Sequence, residues 1–339
     1  MNYKIVLTYL TLAVYTLASH YLSGYYWALK FILSLIIYTL VFYSLHYIWS
    51  KIRKKALMYF SVFINYFLMR VSIFLLFITV FFGWLTYLSN EVYPAPMPEY
   101  TITNWTKTVK FQAMSHIWTE NFYNTVAENL TKYKEAWWVY FYEWVKPWTE
   151  ENLEKFNKAI WIEFDEDLYE NFSKLYWVTN QNNEDFFWLV NNLDFNIDLN
   201  MDEIMLLYEI KIDSKPEWEK EFENKLPIDA NKTILETLST LNDKQLRILI
   251  YINQAILNFI MSSEWTQGFL SDNFTNKDLF DVILDERNEV LTKAIIESEY
   301  EKIYITYGLL HFDWVFKLLK ETDPKWQISS VQNLYPIKN

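Results

Sequence analysis

The sequence predicts an α/β protein in which N-terminal transmembrane helices precede a mixed α/β soluble domain carrying a helical insert. Three observations point there. Residues 1 to 88 are almost uncharged and dominated by Leu, Ile, Val, Phe and Tyr. A dense proline cluster follows them, and beyond it short β-rich runs alternate with amphipathic segments. The divisions expected are 1–90 for the membrane region with three helices, 91–100 for a Pro-rich spacer, and 101–339 for the soluble domain. A length of 339 residues accommodates a membrane region plus one sizeable domain at about 150 residues each.

Composition excludes several classes. With 52% hydrophobic residues the chain has far too much apolar material for disorder. Cysteine is absent, which removes disulfides, thiol nucleophiles and Cys-based zinc sites. Acidic side chains number 42 against 30 basic ones, and the only dense basic cluster lies in the first quarter, so nucleic acid is not expected as a partner.

A helix needs about 20 apolar residues to cross a bilayer. One span is expected from about Ile5 to Leu22, then a tight turn around Ser23-Gly24-Tyr25, then a second span from Ala28 to Ile48. A third runs from about Val71 to Leu88, with an apolar stretch from Ala56 to Met69 before it. Arg70 is the weak point, since a charge within a span is costly unless paired or snorkelling. Lys51, Arg53, Lys54 and Lys55 mark their loop as cytoplasmic under the positive-inside rule. Three spans then put the N-terminus inside and everything after Leu88 outside, giving an integral membrane protein with an extracytoplasmic domain. Tyr93-Pro94-Ala95-Pro96-Met97-Pro98 reads as a stiff extended spacer.

In the soluble part, Val109 to Gln112 reads as a strand. Thr119 to Ala136 reads as a helix with Thr119 as cap and Glu120 in its first turn. Val139 to Tyr142 is a second strand, and Thr149-Glu150-Glu151 opens a helix running to about Ile160. The middle, from Asp165 to Met261, is mostly helical, with apolar residues at three and four spacing in Ile234 to Leu241 and Leu246 to Phe259. Lys277 to Glu299 is a further helix, Ile303 to Tyr307 a strand, and Phe312 to Glu321 the last helix, stopped by Asp323-Pro324. The sheet is expected to be shared by the two terminal thirds. The acidic run Asp194 to Asp202 lacks the glycine and terminal Glu of a calcium loop and reads as a solvated turn. Sequon-like triplets such as Asn104-Trp105-Thr106 arise readily by chance in an Asn-rich chain.

Glycine occurs only 4 times where about 7% is usual, while tryptophan occurs 16 times. Trp137, Trp161 and Trp177 each follow a predicted helix end, where the backbone favours glycine. Two readings stay open: an aromatic-rich protein with an unusual core, or a gene whose UGA codons its host reads as glycine.

Of the four histidines, His20 and His46 lie in membrane spans, while His116 and His311 follow predicted strands, as Glu143 does. Ligands bind at the carboxyl ends of strands in α/β sheets. Two imidazoles and a carboxylate meeting there would suit a divalent metal with open positions. The competing reading has each His simply capping its strand.

Gly308-Leu309-Leu310-His311 after a strand, Glu286-Arg287-Asn288 on a late helix, Glu143 at a strand end, and Ala113-Met114-Ser115-His116 together resemble the TraB family, which includes GumN-like and TIKI membrane-tethered proteases. Ala113 stands where that family has glycine, and Trp118 and Trp314 stand near each His where glycine is usual. The resemblance implies a metal-dependent peptidase acting on extracytoplasmic peptides. It implies His116, His311 and Glu143 as ligands of a divalent transition metal (Mn, Co or Zn), and Glu143 or Glu120 as general base. Arg287 would hold a substrate carboxylate or a developing oxyanion, or else form a salt bridge to Glu143 or Glu286. The partners implied are a peptide or protein substrate and the lipid bilayer. The alternative within the family is a non-catalytic protein that sequesters a peptide.

Overall fold

The structure is a computed structural model and describes residues 3–115, 117–144, 149–163, 167–180, 186, 188–216, 227–262 and 276–336. It divides into two compact units, one comprising Met1–Leu88 with Ser239–Leu249, the other Ser89–Leu238 with Ile250–Asn339.

The first unit is built on α1 (Tyr3–Ser23), α2 (Tyr25–Ile52) and α3 (Phe60–Tyr87). All three are long and apolar enough to cross a membrane. The apolar stretch before Val71 is part of α3 itself, from Phe60 onward. Gly24 separates α1 from α2 at φ 86°, ψ 175°, a conformation essentially confined to glycine. The hydroxyls inside these helices are satisfied locally, as an apolar surrounding requires: Thr8, Thr16, Thr39 and Ser72 each donate to the carbonyl four residues back. Tyr15 Oη donates to the Leu75 carbonyl at 2.9 Å and ties α1 to α3. Arg70 donates to Tyr66 Oη at 2.9 Å with its guanidinium 4.6 Å from that ring. Residues 239–249 belong to the same unit through Asn242 Nδ2, which donates to the Leu22 carbonyl, and Lys244, whose amine lies 3.4 Å from the Tyr21 ring centre.

The second unit is a mixed α/β domain around a six-stranded sheet. Its strands are β1 (Met97–Thr103), β2 (Thr108–Met114), β4 (Val139–Tyr142), β6 (Phe195–Asn196), β7 (Lys302–Gly308) and β8 (Gln327–Leu334), in the order β6-β4-β7-β2-β1-β8. A separate pair joins β3 (Ile117–Trp118) to β5 (Thr179–Asn180). β2, β7, β4 and β6 run parallel, and β1 and β8 close one side antiparallel. Register sets Phe111, Ile305 and Phe141 side by side, all essentially buried. Each such side chain contributes about 1.5–3 kcal/mol on leaving water. The central strand β7 is covered on both faces, Ile303 to Ile305 and Tyr307 all being inaccessible, which is the condition a parallel sheet demands.

Helices complete the core. α4 (Glu120–Glu135), capped by Thr119, buries Phe122, Val126 and Leu130 at four-residue spacing. The helix Lys277–Glu297 adds Leu291 and Ile295, and the helix Phe312–Thr322 adds Phe312, Val315 and Leu319. A smaller core joins Phe156 of α5 (Glu150–Ile160) to Ile204, Met205 and Tyr208 of the helix Met201–Asp213 and to Leu279 and Val282. That second core is the helical insert.

Three expectations change. β1 begins at Met97, inside the segment expected as a stiff extended spacer, and that segment is hydrogen-bonded to the domain: Asn258 Oδ1 accepts from the Ala95 amide at 2.9 Å, and Asn258 Nδ2 donates to Asn90 Oδ1 at 3.1 Å. β8 was not expected because its alternation is polar and its side chains are exposed. The Asp194–Asp202 run is not a solvated turn. Asp194 is buried, accepts from the Tyr140 amide at 3.0 Å and pairs with Lys134, and Asp198 is buried beside Arg287. Only Asp202 faces outward, accepting from Asn152 and Thr149.

Removing Asp194 leaves the Lys134 ammonium and an amide of β4 without their partner. Asp194→Ala is expected to cost about 3 kcal/mol, read as a lower unfolding midpoint of the detergent-solubilised chain. An unchanged midpoint would return Asp194 to the solvated turn.

Candidate active site

Parallel pairing brings the carboxyl ends of β6, β4, β7 and β2 to one edge of the sheet. Glu143 follows β4 directly. Asp198 lies two residues past β6. His311 ends the single tight helical turn Leu309–His311 that follows β7. The helix Lys277–Glu297 supplies Arg287 and Asn288, both buried.

Arg287 organises the cluster. Its Nε donates to Asp198 Oδ1 at 2.7 Å and its Nη2 to Asp198 Oδ2 at 3.2 Å, while Nη2 also pairs with Glu143 Oε1. Tyr307 Oη donates to Asp198 Oδ1 at 3.4 Å, and the guanidinium lies 5.3 Å from the Tyr307 ring centre. Burial works against the Arg287 charge, but Glu143, Tyr307 and Asp198 more than restore it, so it stays a cation. The other Glu143 oxygen, Oε2, accepts from the Gly308 amide at 2.7 Å. One carboxylate is thereby held by a charged donor and a backbone donor from two different elements.

His311 is oriented from behind. Its Nδ1 lies 2.8 Å from Asn288 Oδ1. With that oxygen accepting, the proton sits on Nδ1 and Nε2 keeps its lone pair. Tyr307 meets the ring edge to face at 4.7 Å.

The spacing of Gly308 and His311 has a steric reason. A tight turn with three residues per revolution stacks residue i+3 over residue i. A methyl on Gly308 would come to 3.1 Å from His311 Cδ2 and 3.5 Å from Glu143 Oε2. Gly308 has φ −53°, so space, not backbone freedom, requires glycine there. The same point lies 3.6 Å from His311 Nε2, so imidazole nitrogen and carboxylate converge above Gly308.

Burial sets the electrostatics of this spot: it pushes Asp198 up to about 6, with Arg287 opposing it, so near neutral pH Asp198 is ionised beside the guanidinium. Burial also pushes His311 down to about 4, with Glu143 pulling the other way, so the imidazole is neutral. Tyr169, on α6 (Leu168–Tyr176), feels both Glu143 and Arg287, and burial pushes its hydroxyl up to about 12.

Of the residues singled out in the sequence, Glu143, Arg287 and His311 come together. His116 lies outside the described residues. Glu120 is exposed at the first turn of α4 and, among the described residues, makes no hydrogen bond or ion pair with the cluster. Arg287 forms the ion pair with Glu143 rather than with Glu286. Trp118 is buried against Phe122, and Trp314 lies at the surface under the Lys317 ammonium. Asp198, Tyr307 and Tyr169 were missed. For Asp198 the available signal was the apolar-then-acidic pattern Phe195-Asn196-Ile197-Asp198, which matches the way Tyr142 leads into Glu143.

A metal fits what is described only in part. His311 Nε2 is an oriented, neutral donor with its far nitrogen fixed by a carbonyl-type oxygen, as metal-bound histidines are. Glu143 stands beside it. Among the described residues, no group of three or more such side chains is arranged to hold an ion. No protein-family model matches the chain, and no curated protein or solved structure is significantly similar to it.

Two opposed linkages follow. A histidine held below its ordinary value of 6.5 costs the fold nothing at high pH and removes stability as pH falls from 6.5 toward 4. Asp198, raised above its ordinary 3.8, favours the fold below 3.8 and loses that contribution as pH rises through 6. His311→Asn is therefore expected to flatten the loss of melting temperature between pH 6.5 and 4. Parallel curves for the variant and the parent would mean that His311 titrates normally.

Proposed function

We propose that this is a membrane-tethered hydrolase of the TraB/TIKI kind that cuts extracytoplasmic peptides with a divalent transition metal. The observation that carries the reading is the convergence of His311 Nε2 and the Glu143 carboxylate above Gly308, each fixed by its own partner. His311 and Glu143 would hold the metal together with His116, which follows the adjacent parallel strand in the sequence. When bound, such an ion acidifies a coordinated water and polarises a peptide carbonyl.

The chain's own residues have distinct tasks in this reading. Asn288 keeps the lone pair of His311 on Nε2. The Gly308 amide and Arg287 aim the Glu143 carboxylate, which is either the third ligand or the base that takes the proton of the attacking water and returns it to the leaving amine. Arg287 positions Glu143 through Nη2 and is itself held by Asp198 on Nε and Nη2, which leaves the two Nη1 hydrogens for a substrate carboxylate or a developing oxyanion. That same engagement of both Glu143 oxygens favours the second reading, a non-catalytic protein that sequesters a peptide.

Metal content and turnover separate the two. The purified full chain, reloaded with manganese, cobalt or zinc, is expected to retain about one ion and to cleave unstructured peptides. Glu143→Gln should lower turnover at least about 100-fold, and His311→Ala should also lose the ion. Metal retention without turnover would favour the sequestering protein, and neither would remove the hydrolase.

The membrane arrangement is part of the proposal: three spans, Lys51 to Lys55 in the cytoplasm, and the second unit outside. A chain without cysteine allows a clean test. A single cysteine at the exposed Thr106 should react with an impermeant thiol reagent on intact cells, and one at Lys54 should react only after lysis. The reverse pattern would invert the topology.

A further inference from the structure

The residues the chain places in left-handed conformation are of an unexpected kind. Apart from Gly24, the positive-φ residues among those described are Lys54, Trp105 (φ 78°), Trp137 (φ 62°), Trp161 (φ 59°) and Trp177 (φ 52°). Left-handed geometry crowds Cβ against the following carbonyl, so a bulky residue there is a genuine outlier. Four tryptophans sharing it calls for a cause common to them.

Each of the four sits in a motif whose preferred residue is glycine. At the end of α4, the Trp138 amide donates to the Tyr133 carbonyl at 3.0 Å and the Trp137 amide to the Lys134 carbonyl at 3.0 Å. This pair of bonds is the Schellman closure, with Trp137 at the position usually held by glycine. At the end of α6, the Val178 amide reaches the Ser173 carbonyl at 3.1 Å around Trp177 in the same way. Trp161 ends α5 at φ 59°, ψ 22°. Trp105 lies in the hairpin between β1 and β2, where Asn104 Oδ1 accepts from the Thr106 and Lys107 amides, and glycine is the residue hairpin loops take at a positive φ.

At three of the four the side chain lies mostly in solvent. Trp137 is 89% exposed, Trp105 77% and Trp177 66%. An indole that held its backbone in a strained conformation by packing would be covered.

We infer that positions 105, 137, 161 and 177 are glycine in the protein its own host makes, the gene's UGA codons being read there as glycine and not as tryptophan. The scarcity of glycine beside abundant tryptophan has the same origin. The inference rests on backbone geometry alone and does not depend on the proposed hydrolase.

The test is tandem mass spectrometry of the chain purified from its own host, on peptides covering residues 104–106, 136–138, 160–162 and 176–178. Glycine at positions 105, 137, 161 and 177 is the expected result. Tryptophan at any one of the four overturns the inference.

Discussion

Everything at the candidate site depends on one buried cation. Arg287 stands between Asp198 and Glu143, engaging the first with two nitrogens and the second with one. Such a cluster adds little net stability, since the cost of taking three charges from water roughly cancels their attraction. Breaking it is another matter, because a lone buried charge costs about 3–5 kcal/mol. The arrangement therefore fixes geometry more than it fixes fold. It joins the helix Lys277–Glu297 to the ends of β4 and β6, and through Asn288 the same helix sets the His311 ring.

The sheet makes that convergence possible. Four parallel neighbours deliver their carboxyl ends to one edge, and the chain leaves β4, β6 and β7 with Glu143, Asp198 and His311 within a few residues. Gly308 is the point of closest approach, where the absence of a side chain lets carboxylate and imidazole share one space. Charge completes the design: an Asp198 carboxylate ionised near neutral pH holds the guanidinium, beside a neutral imidazole nitrogen.

How much of this was legible depended on whether local chemistry and tertiary context agreed. α4 and α5 were readable because Thr119 and Thr149 are good caps and the apolar spacing is helical. β7 was readable because its β-branched and aromatic run has no competing pattern. β1 was hidden by Pro96 and Pro98, which an edge of the pattern tolerates but a reader takes for a spacer, and β8 by its polar surface. Glu143 and His311 stood out as rare groups after clear strands. Asp198 did not, because an acidic run is usually solvated and only the long-range partner Arg287 makes its burial tenable. Trp137, Trp161 and Trp177 were legible as positions, since the helix ends around them were, although the residue written there contradicts the backbone.

The account joins three apolar helices capable of crossing a membrane to a domain whose sheet edge gathers an oriented imidazole and a doubly held carboxylate. Its central claim is that this edge binds a divalent ion. The most direct measurement is an anomalous-scattering map of the crystallised full chain soaked in manganese. The account predicts one strong peak within bonding distance of His311 Nε2 and Glu143, above Gly308. A map with no peak there, or with His311 Nε2 hydrogen-bonded to a protein group instead, would contradict it.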